Sequence, residues 1–141
     1  IRRPPRSTQS RSSAASDVYK RQVLYHGPYA SQRVDIGLLI AEKALEKGYN
    51  VNIFLYMEAV HSAKKGQSPK YFPNVGEKLS ELAEKGAKIK SCSRCAGARG
   101  YVEGEEKDGI YPTSQHVSGV HIANLRDLGY WLKNSDKVLA L

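Results

Sequence analysis

Residues 87–100 read AKIKSCSRCAGARG and contain both cysteines of the 141-residue chain. The first four residues are typical of a short strand, and the stretch from Ser91 onward is typical of a helix that ends at Gly100. This order predicts a thiol at the junction between a strand and a helix. Unpaired backbone N–H groups and the helix dipole both stabilise an anion at a helix start. We therefore predict that Cys92 has a lowered pKa and acts as a nucleophile.

A second cysteine, Cys95, follows one helical turn later, and Arg94 and Arg99 add positive charge nearby. A lone cysteine is commonly just a small buried apolar side chain. The C-x-x-C spacing beside two arginines favours chemistry over packing, and we interpret both cysteines as catalytic residues. A zinc site needs four ligands, and only four scattered histidines accompany the two thiols. We predict no metal site, and without a glycine-rich phosphate loop we predict no cofactor.

The basic character of the chain is concentrated at its beginning. Residues 1–22 carry six of the 22 Lys and Arg residues, which leaves a net charge of +3 on the rest. That remainder has no basic stripe with interleaved aromatic residues, so we predict no direct contact with nucleic acid. No run approaches the ~20 apolar residues of a membrane span, so we predict no membrane association. Two close cysteines do not form a disulfide framework, which favours the reducing cytoplasm.

Residues 1–22 are rich in Arg and Ser and nearly free of apolar side chains. Such a segment buries too little surface to order itself. Its composition is also typical of an organellar transit peptide, although it has no amphipathic stripe. The segment resembles translated sequencing-adaptor read-through, and we interpret it as a non-native or disordered tail. Residues 23–141 are then expected to form a single domain.

Strand-like and helix-like segments alternate along residues 23–141. We predict strands at 23–25, 50–56, 87–90, 110–111 and 137–141, and helices at about 31–47, 58–63, 74–86, 91–100 and 120–133. The second strand is apolar on both faces, as expected of a central strand covered by helices on each side. The alternation predicts an α/β fold, with a three-layer α/β/α architecture and a mostly parallel sheet of about five strands.

In such a sheet, functional sites form at the carboxyl ends of the strands. This rule places the residues after the first three strands on one edge: His26 and Tyr29, Glu58 and His61, and Cys92 and Arg99.

Several of these residues have two possible roles. His61 is either a proton donor near the thiol or a surface or interface residue. Arg99 either supports a thiol anion or pairs with a loop carboxylate such as Glu103. His26 and Tyr29 either line the pocket or pack in an interface between subunits.

Four segments carry a resemblance to a known family. Cys92 precedes Arg99 and Gly100 at the spacing C-x6-R-G, which resembles the DsrE/TusD family of sulfur-relay proteins. Three further segments resemble parts of that family in the same order, so that the match covers most of residues 23–141: the turn Gly27-Pro28-Tyr29, the stretch Phe54-x-Tyr56-x-Glu58-x-Val60-x-x-Ala63, and the ending from Gly119 through Asp136-Lys137-Val138-Leu139.

The resemblance implies a DsrEFH-like fold and a sulfurtransferase function. Cys92 stands where DsrE and TusD carry a persulfide, so it is expected to accept sulfane sulfur and pass it to a thiol of a partner protein. Such proteins serve tRNA thiolation or dissimilatory sulfur oxidation. Their partners are a sulfur donor, a sulfur acceptor and homologous small subunits, with which they form homo- or hetero-hexamers.

Cys95 is not part of the TusD pattern, and its presence leaves alternatives open. It can resolve a persulfide to an intramolecular disulfide and release sulfide. The pair can also act as a thiol–disulfide redox protein, as C-x-x-C motifs do in thioredoxin-like proteins. A third alternative is a non-catalytic oligomeric subunit in which the cysteines are incidental.

Overall fold

The computed structural model describes residues 19–141. Six strands, four α-helices and one 3-10 helix follow one another along these residues. The strands are β1 (Tyr19–Leu24), β2 (Asn50–Leu55), β3 (Lys88–Cys92), β4 (Ile110–Tyr111), β5 (Val120–Ala123) and β6 (Lys137–Ala140). The α-helices are α1 (Arg33–Glu46), α2 (Val75–Glu84), α3 (Ser93–Ala98) and α4 (Leu125–Lys133), and the 3-10 helix spans Met57–Ala63.

The strands form one mixed sheet in the order β4-β5-β3-β2-β1-β6. All neighbouring strands are parallel except β4, which pairs antiparallel with β5. β2 lies between β1 and β3, as expected of a strand with apolar residues on both faces. The carboxyl ends of β1, β2 and β3 therefore meet at one edge.

The sheet contains one strand more than the sequence predicts. Residues 120–123, predicted as the start of the last helix, form β5, and α4 begins only at Leu125. Val120, Ile122 and Leu125 recur at a spacing that fits a helix as well as a strand, which explains the error. β5 pairs in register with β3, from Ile89 opposite Val120 onward, and a local sequence pattern does not reveal that distant pairing.

The first strand begins earlier than predicted. Residues 19–22, assigned to the tail, belong to β1 and pair with β2 on one side. Residues 20–22 also pair with β6 on the other side. Four polar or aromatic residues are thus ordered by two flanking strands rather than by their own apolar pattern. The predicted tail otherwise falls on residues 1–18, which lie outside the described residues.

Helices cover both faces of the sheet, which confirms the three-layer α/β/α prediction. Successive side chains of a strand point to opposite faces, and β2 shows this alternation. Val51, Ile53 and Leu55 pack with α1 and α2, whereas Phe54 packs against Trp131 of α4.

Two clusters of buried side chains result. The aliphatic cluster consists of Leu24, Val34, Leu38, Ala41, Val51, Ile53, Leu55, Ala59, Ala63, Val75, Leu79, Leu82, Ala87, Ile89 and Val120. The cysteine cluster consists of Phe54, Val60, Cys92, Cys95, Ala96, Tyr101, Ile122 and Trp131.

Local signals delimit the helices beside the sheet. Gly48 and Gly86 follow α1 and α2 with φ angles of 81° and 106°, a conformation that glycine adopts without a Cβ clash. The Asn74 side chain accepts a hydrogen bond of 3.1 Å from the backbone N–H of Glu77 and so caps α2. None of the helices within residues 19–141 has the length and apolar character needed to cross a membrane.

Candidate functional site: a thiol pair at the carboxyl edge of the sheet

Both cysteines lie where β3 passes into α3. Cys92 is the last residue of β3 and precedes the first residue of α3, and Cys95 lies in the first turn of that helix. Both are free thiols, and their side chains interact with each other. α3 has only six residues, so its dipole is small. Local hydrogen bonds and charges therefore decide the properties of these thiols more than the helix does.

The pKa of the Cys92 thiol differs from the prediction. The Cys92 side chain is 0% exposed. Burial raises the pKa of the Cys92 thiol, and the neighbouring Cys95 side chain adds to that rise. Hydrogen bonds from the backbone N–H groups of Cys95 and Arg94 act in the opposite direction without reversing it. The predicted lowering of the Cys92 pKa is therefore wrong, because the loss of water outweighs the N–H groups.

Cys95 has a different environment. It is 8% exposed, and its Sγ accepts a hydrogen bond of 3.2 Å from the backbone N–H of Met57. Met57 begins the 3-10 helix after β2 and has a φ of 54°, which is unusual for a residue with a Cβ. This conformation aims the Met57 N–H at sulfur instead of at a backbone carbonyl. A backbone donor thus contacts Cys95, and nothing in the residue types around it signals that contact.

Arg99 links the cysteine turn to the segment after β2. Its Nη1 donates a hydrogen bond of 3.0 Å to the Cys95 carbonyl oxygen, and its Nε donates one of 3.2 Å to Glu58 Oε1. Arg99 Nη2 also contacts that Glu58 oxygen. The carboxylate partner is therefore Glu58 and not Glu103, which bonds to Ser114 instead.

Arg99 and Glu58 stabilise each other's charged forms. The Glu58 hydrogen bond raises the pKa of Arg99 above its usual value, and both thiols contribute to the same rise. In turn, Arg99 holds the pKa of the Glu58 carboxyl below its usual range. A permanently positive guanidinium therefore lies close enough to interact electrostatically with both sulfur atoms.

A hydrogen-bonded chain continues inward from Glu58. His61 Nε2 lies 3.3 Å from Glu58 Oε2, and His61 Nδ1 lies 2.6 Å from the Tyr101 hydroxyl. Tyr101 is buried in the cysteine cluster, and burial raises the pKa of its phenol. Glu58, His61 and Tyr101 therefore form one chain of polar contacts from the exposed Glu58 to the wall of the cysteine cluster. His61 joins this network, but it reaches the thiols only through other residues.

A second histidine, His116, packs against Tyr101. The rings of His116 and Tyr101 lie 4.9 Å apart. His116 is buried, and neither of its ring nitrogens has a hydrogen-bond partner. Burial lowers the pKa of His116 to about 4, so the ring is neutral at physiological pH. Backbone bonds from Val117 to Ala63 and from Lys65 to Gln115 hold this segment in place.

His26 and Tyr29 occupy different places. His26 is exposed and shares a depression of about 450 Å3 with Glu58 and His61. The Tyr29 hydroxyl donates to Gln67 Oε1 at 2.7 Å and accepts from the backbone N–H of Val75 at 3.2 Å, so it serves the start of α2. His26 therefore lies beside Glu58 and His61, whereas the Tyr29 hydroxyl bonds at the start of α2 and not to the thiols.

Sequence reasoning missed two contributors, the Met57 N–H and the Tyr101 hydroxyl. Met57 offers no sequence signal, because its contribution depends on backbone conformation. Tyr101 directly follows Gly100, so its place beside the cysteine turn was a usable signal. Among residues 19–141, no three His, Cys, Asp or Glu side chains are arranged to hold one metal ion.

Comparisons with known proteins identify the family of this chain. The profile of the DsrE/DsrF-like family matches residues 22–141. An uncharacterized protein of Methanopyrus kandleri is 37% identical over 117 residues, which cover 83% of this chain and 88% of that protein. An uncharacterized protein of Methanocaldococcus jannaschii is 35% identical over 117 residues, which cover 83% and 94%. Protein YchN of Escherichia coli is 29% identical over 114 residues, which cover 79% and 89%.

Solved structures agree on the fold. The crystal structure of YchN from E. coli superposes with a TM-score of 0.70 at 24% sequence identity and covers 88% of this chain and 99% of that one. This likeness matches the mixed α/β architecture described above. The sequence profile spans the described domain from the middle of β1 to its last residue. The chain therefore belongs to the DsrE/DsrF-like family.

Proposed function

We propose that this protein is a sulfur-relay protein, a sulfurtransferase that carries sulfane sulfur as a persulfide on the Cys92–Cys95 pair. The spacing C-x6-R-G from Cys92 to Gly100 resembles that of the persulfide-carrying cysteine in DsrE and TusD, which supports this role for Cys92. The acceptor is a thiol of a partner protein, in tRNA thiolation or in sulfur oxidation. The observation that carries the proposal is the presence of two free thiols, three residues apart, in one buried cluster at the carboxyl edge of the sheet.

The environment of the pair supports sulfur transfer. A persulfide forms when a thiolate attacks the outer sulfur of a donor persulfide. The new S–S bond forms as the S–S bond of the donor breaks, and the inner sulfur of the donor leaves as a thiolate. Backbone N–H groups contact both sulfur atoms, and Arg99 provides positive charge for an anionic sulfur. These groups stabilise the anionic sulfur that such a transfer requires, most directly at Cys95, whereas burial opposes the anion at Cys92.

Reversible disulfide chemistry is the second candidate function. Its supporting observation is the same pair of neighbouring free thiols in one buried cluster, at the C-x-x-C spacing of thiol–disulfide redox proteins. The rise in the Cys92 pKa opposes fast exchange, because the thiolate is the reacting species. A redox titration tests this candidate: if no reversible intramolecular disulfide forms, the protein is not a thiol–disulfide redox protein.

We also propose an assembly with homologous small subunits, as a homo- or hetero-hexamer, in the reducing cytosol. Ile36, Leu39 and Ile40 of α1 are exposed large apolar side chains. Clustered exposed apolar residues are typical of subunit interfaces. Sedimentation of the purified protein tests this part, and a monomer at micromolar concentration would contradict the homo-oligomeric form.

Intact-protein mass spectrometry tests the relay. The reduced protein is mixed with glutathione persulfide, a small sulfane-sulfur donor, and the mass is then measured. We expect a gain of about 32 mass units that dithiothreitol removes. The double variant Cys92→Ser/Cys95→Ser should gain nothing, and Ser93→Ala, a variant in the same turn, should gain as the parent does. A parent protein that gains no sulfur would overturn the proposed function.

A further inference from the structure

The two thiols are not equivalent in access. Cys92 is 0% exposed, whereas Cys95 is 8% exposed and lies beside the exposed segment after β2. Met57, whose N–H contacts the Cys95 sulfur, has a side chain that is exposed at 48%. Cys95 is therefore the more accessible of the two thiols to a sulfur donor that approaches from solvent.

The hydrogen bonds of the two thiols also differ. The donors that contact Cys92 come from its own turn, the backbone N–H groups of Cys95 and Arg94. The donor that contacts Cys95 comes from another element, the Met57 N–H at 3.2 Å. Met57 holds a positive φ of 54° to place it there. Strained backbone at a candidate site is a recurring feature of functional geometry. This N–H stabilises an anionic sulfur more than a neutral thiol.

The positive charge of the site also lies at Cys95. Arg99 donates to the Cys95 carbonyl oxygen and thus sits one turn from that thiol on the same helix. Glu58 holds the guanidinium from the other side. Access, a dedicated N–H donor and a fixed cation therefore converge on Cys95.

We propose, on the basis of the relay function above, that Cys95 is the thiol that first accepts sulfane sulfur and that Cys92 receives it second. In the first step the Cys95 thiolate attacks the outer sulfur of the donor persulfide. The S–S bond of the donor breaks, its inner sulfur leaves as a thiolate, and Cys95 becomes the persulfide. The Met57 N–H stabilises the reacting sulfur, so Met57 is a positioning residue.

In the second step the Cys92 sulfur attacks the outer sulfur of the Cys95 persulfide. A new S–S bond forms at Cys92, the S–S bond at Cys95 breaks, and the proton of the Cys92 thiol ends on the Cys95 sulfur. No external oxidant or reductant is needed. Attack on the inner sulfur instead would give a Cys92–Cys95 disulfide and release hydrosulfide, and mass spectrometry distinguishes the two products. Either product requires that sulfur arrive at Cys95 first.

The sequence allows each thiol to be followed separately. Trypsin cleaves after Lys90, Arg94 and Arg99, which places Cys92 on the peptide 91–94 and Cys95 on the peptide 95–99. The protein is mixed with glutathione persulfide, quenched by alkylation after milliseconds to minutes, digested and analysed by mass spectrometry. In the parent, the additional sulfur is expected on peptide 95–99 before it reaches peptide 91–94.

Single variants test the order. Cys92→Ser should gain sulfur within about threefold of the parental rate, all of it on peptide 95–99, whereas Cys95→Ser should load at least 30-fold more slowly. Circular dichroism verifies that each variant is folded, and Cys95→Ala replaces Cys95→Ser if the serine variant is not. Fast loading of Cys95→Ser with no loading of Cys92→Ser would overturn this inference but leave the relay function intact. A parent that gains no sulfur would instead overturn the relay function itself.

Discussion

The aliphatic cluster and the cysteine cluster are built from the same sheet but differ in chemistry. The aliphatic cluster contains only Ala, Val, Leu and Ile side chains, contributed by α1, α2, the 3-10 helix, the loop before β3 and the strands β1, β2, β3 and β5. The cysteine cluster includes two thiols, a phenol and an indole, all of which carry polar atoms. One cluster therefore stabilises the fold by apolar burial alone, whereas the other combines burial with groups that can react.

The two clusters show which part of this fold can contain reactive side chains. A parallel sheet is stable when helices pack on its faces. A purely apolar cluster provides that packing without burying polar groups that would lack hydrogen-bond partners. The two thiols and the Tyr101 phenol of the cysteine cluster lie at or after the carboxyl end of β3, beside backbone N–H groups that strand pairing leaves free. Met57 N–H and Cys95 Sγ are the example. Variants that separate stability from thiol reactivity can test this division.

The largest expected effect is on stability, at Leu79 of α2. Leu79 is fully buried in the aliphatic cluster. Leu79→Ala removes buried methyl groups and leaves a cavity, so the free energy of unfolding should fall by about 3 kcal/mol. Urea denaturation followed by circular dichroism measures that change. Sulfur uptake per folded molecule should remain at the parental level, because Leu79 does not contact the cysteine cluster.

Leu132→Ala is the matched control for this substitution. Leu132 is an exposed side chain of α4, and its truncation should lower the free energy of unfolding by less than about 1 kcal/mol. If Leu79→Ala slowed sulfur uptake tenfold in its folded fraction, the two clusters would be coupled and the proposed division would be wrong.

A smaller effect on stability is expected at His116, a buried histidine that packs against Tyr101 of the cysteine cluster. Burial lowers the pKa of His116 to about 4, below the usual 6.5. The unfolded chain therefore binds more protons than the folded one between pH 6.5 and pH 4. Stability falls as the pH decreases through that window, and we expect a loss of about 2 kcal/mol by pH 5. Urea denaturation at pH 7.5 and pH 5 measures the loss.

His116→Phe isolates the contribution of the imidazole. Phenylalanine keeps an aromatic ring against Tyr101 and has no group that titrates, so this variant should lose less stability between pH 7.5 and pH 5 than the parent. Glu42 does not interfere, since its pKa is lowered to about 2 by Lys78 and Lys85 and its contribution is lost only below pH 4.5. Equal losses in parent and variant would show that His116 titrates normally.

Much of the aliphatic cluster is predictable from sequence, because its pattern is local. Val51, Ile53 and Leu55 alternate along β2, and glycines delimit the helices beside it. The prediction fails where order depends on distant pairing. Residues 19–22 carry no apolar pattern and are held between β2 and β6, and β5 is defined by its register with β3.

The cysteine cluster is less predictable, since its properties depend on burial and backbone geometry. Topology alone places Cys92, Arg99, Glu58 and His61 at one edge of the sheet. The direction of the Cys92 pKa shift is not predictable in this way, because it depends on how much water the thiol loses. The Met57 N–H has no sequence signal at all.

The smallest expected effect is on thiol reactivity, at Glu58. Its carboxylate pairs with Arg99 and offsets the positive charge that Arg99 presents to both thiols. Glu58→Gln removes the negative charge and keeps a side chain of the same size. Arg99 should then stabilise an anionic sulfur more strongly, and we expect a rise of roughly two- to fivefold in the alkylation rate of Cys95. The rate of iodoacetamide modification of peptide 95–99 at pH 7 measures that rise.

Glu105→Gln makes the same change of charge at an exposed position in the loop after Tyr101, and it should leave the alkylation rate unchanged. A slower reaction in Glu58→Gln would mean that the ion pair acts chiefly by holding Arg99 in position, because a released guanidinium would then no longer stabilise the anionic sulfur. A faster reaction would mean that Glu58 restrains the thiols through its charge. Since Arg99 also donates to the Cys95 carbonyl oxygen, that bond still holds the guanidinium beside Cys95 in Glu58→Gln, and we expect the faster reaction.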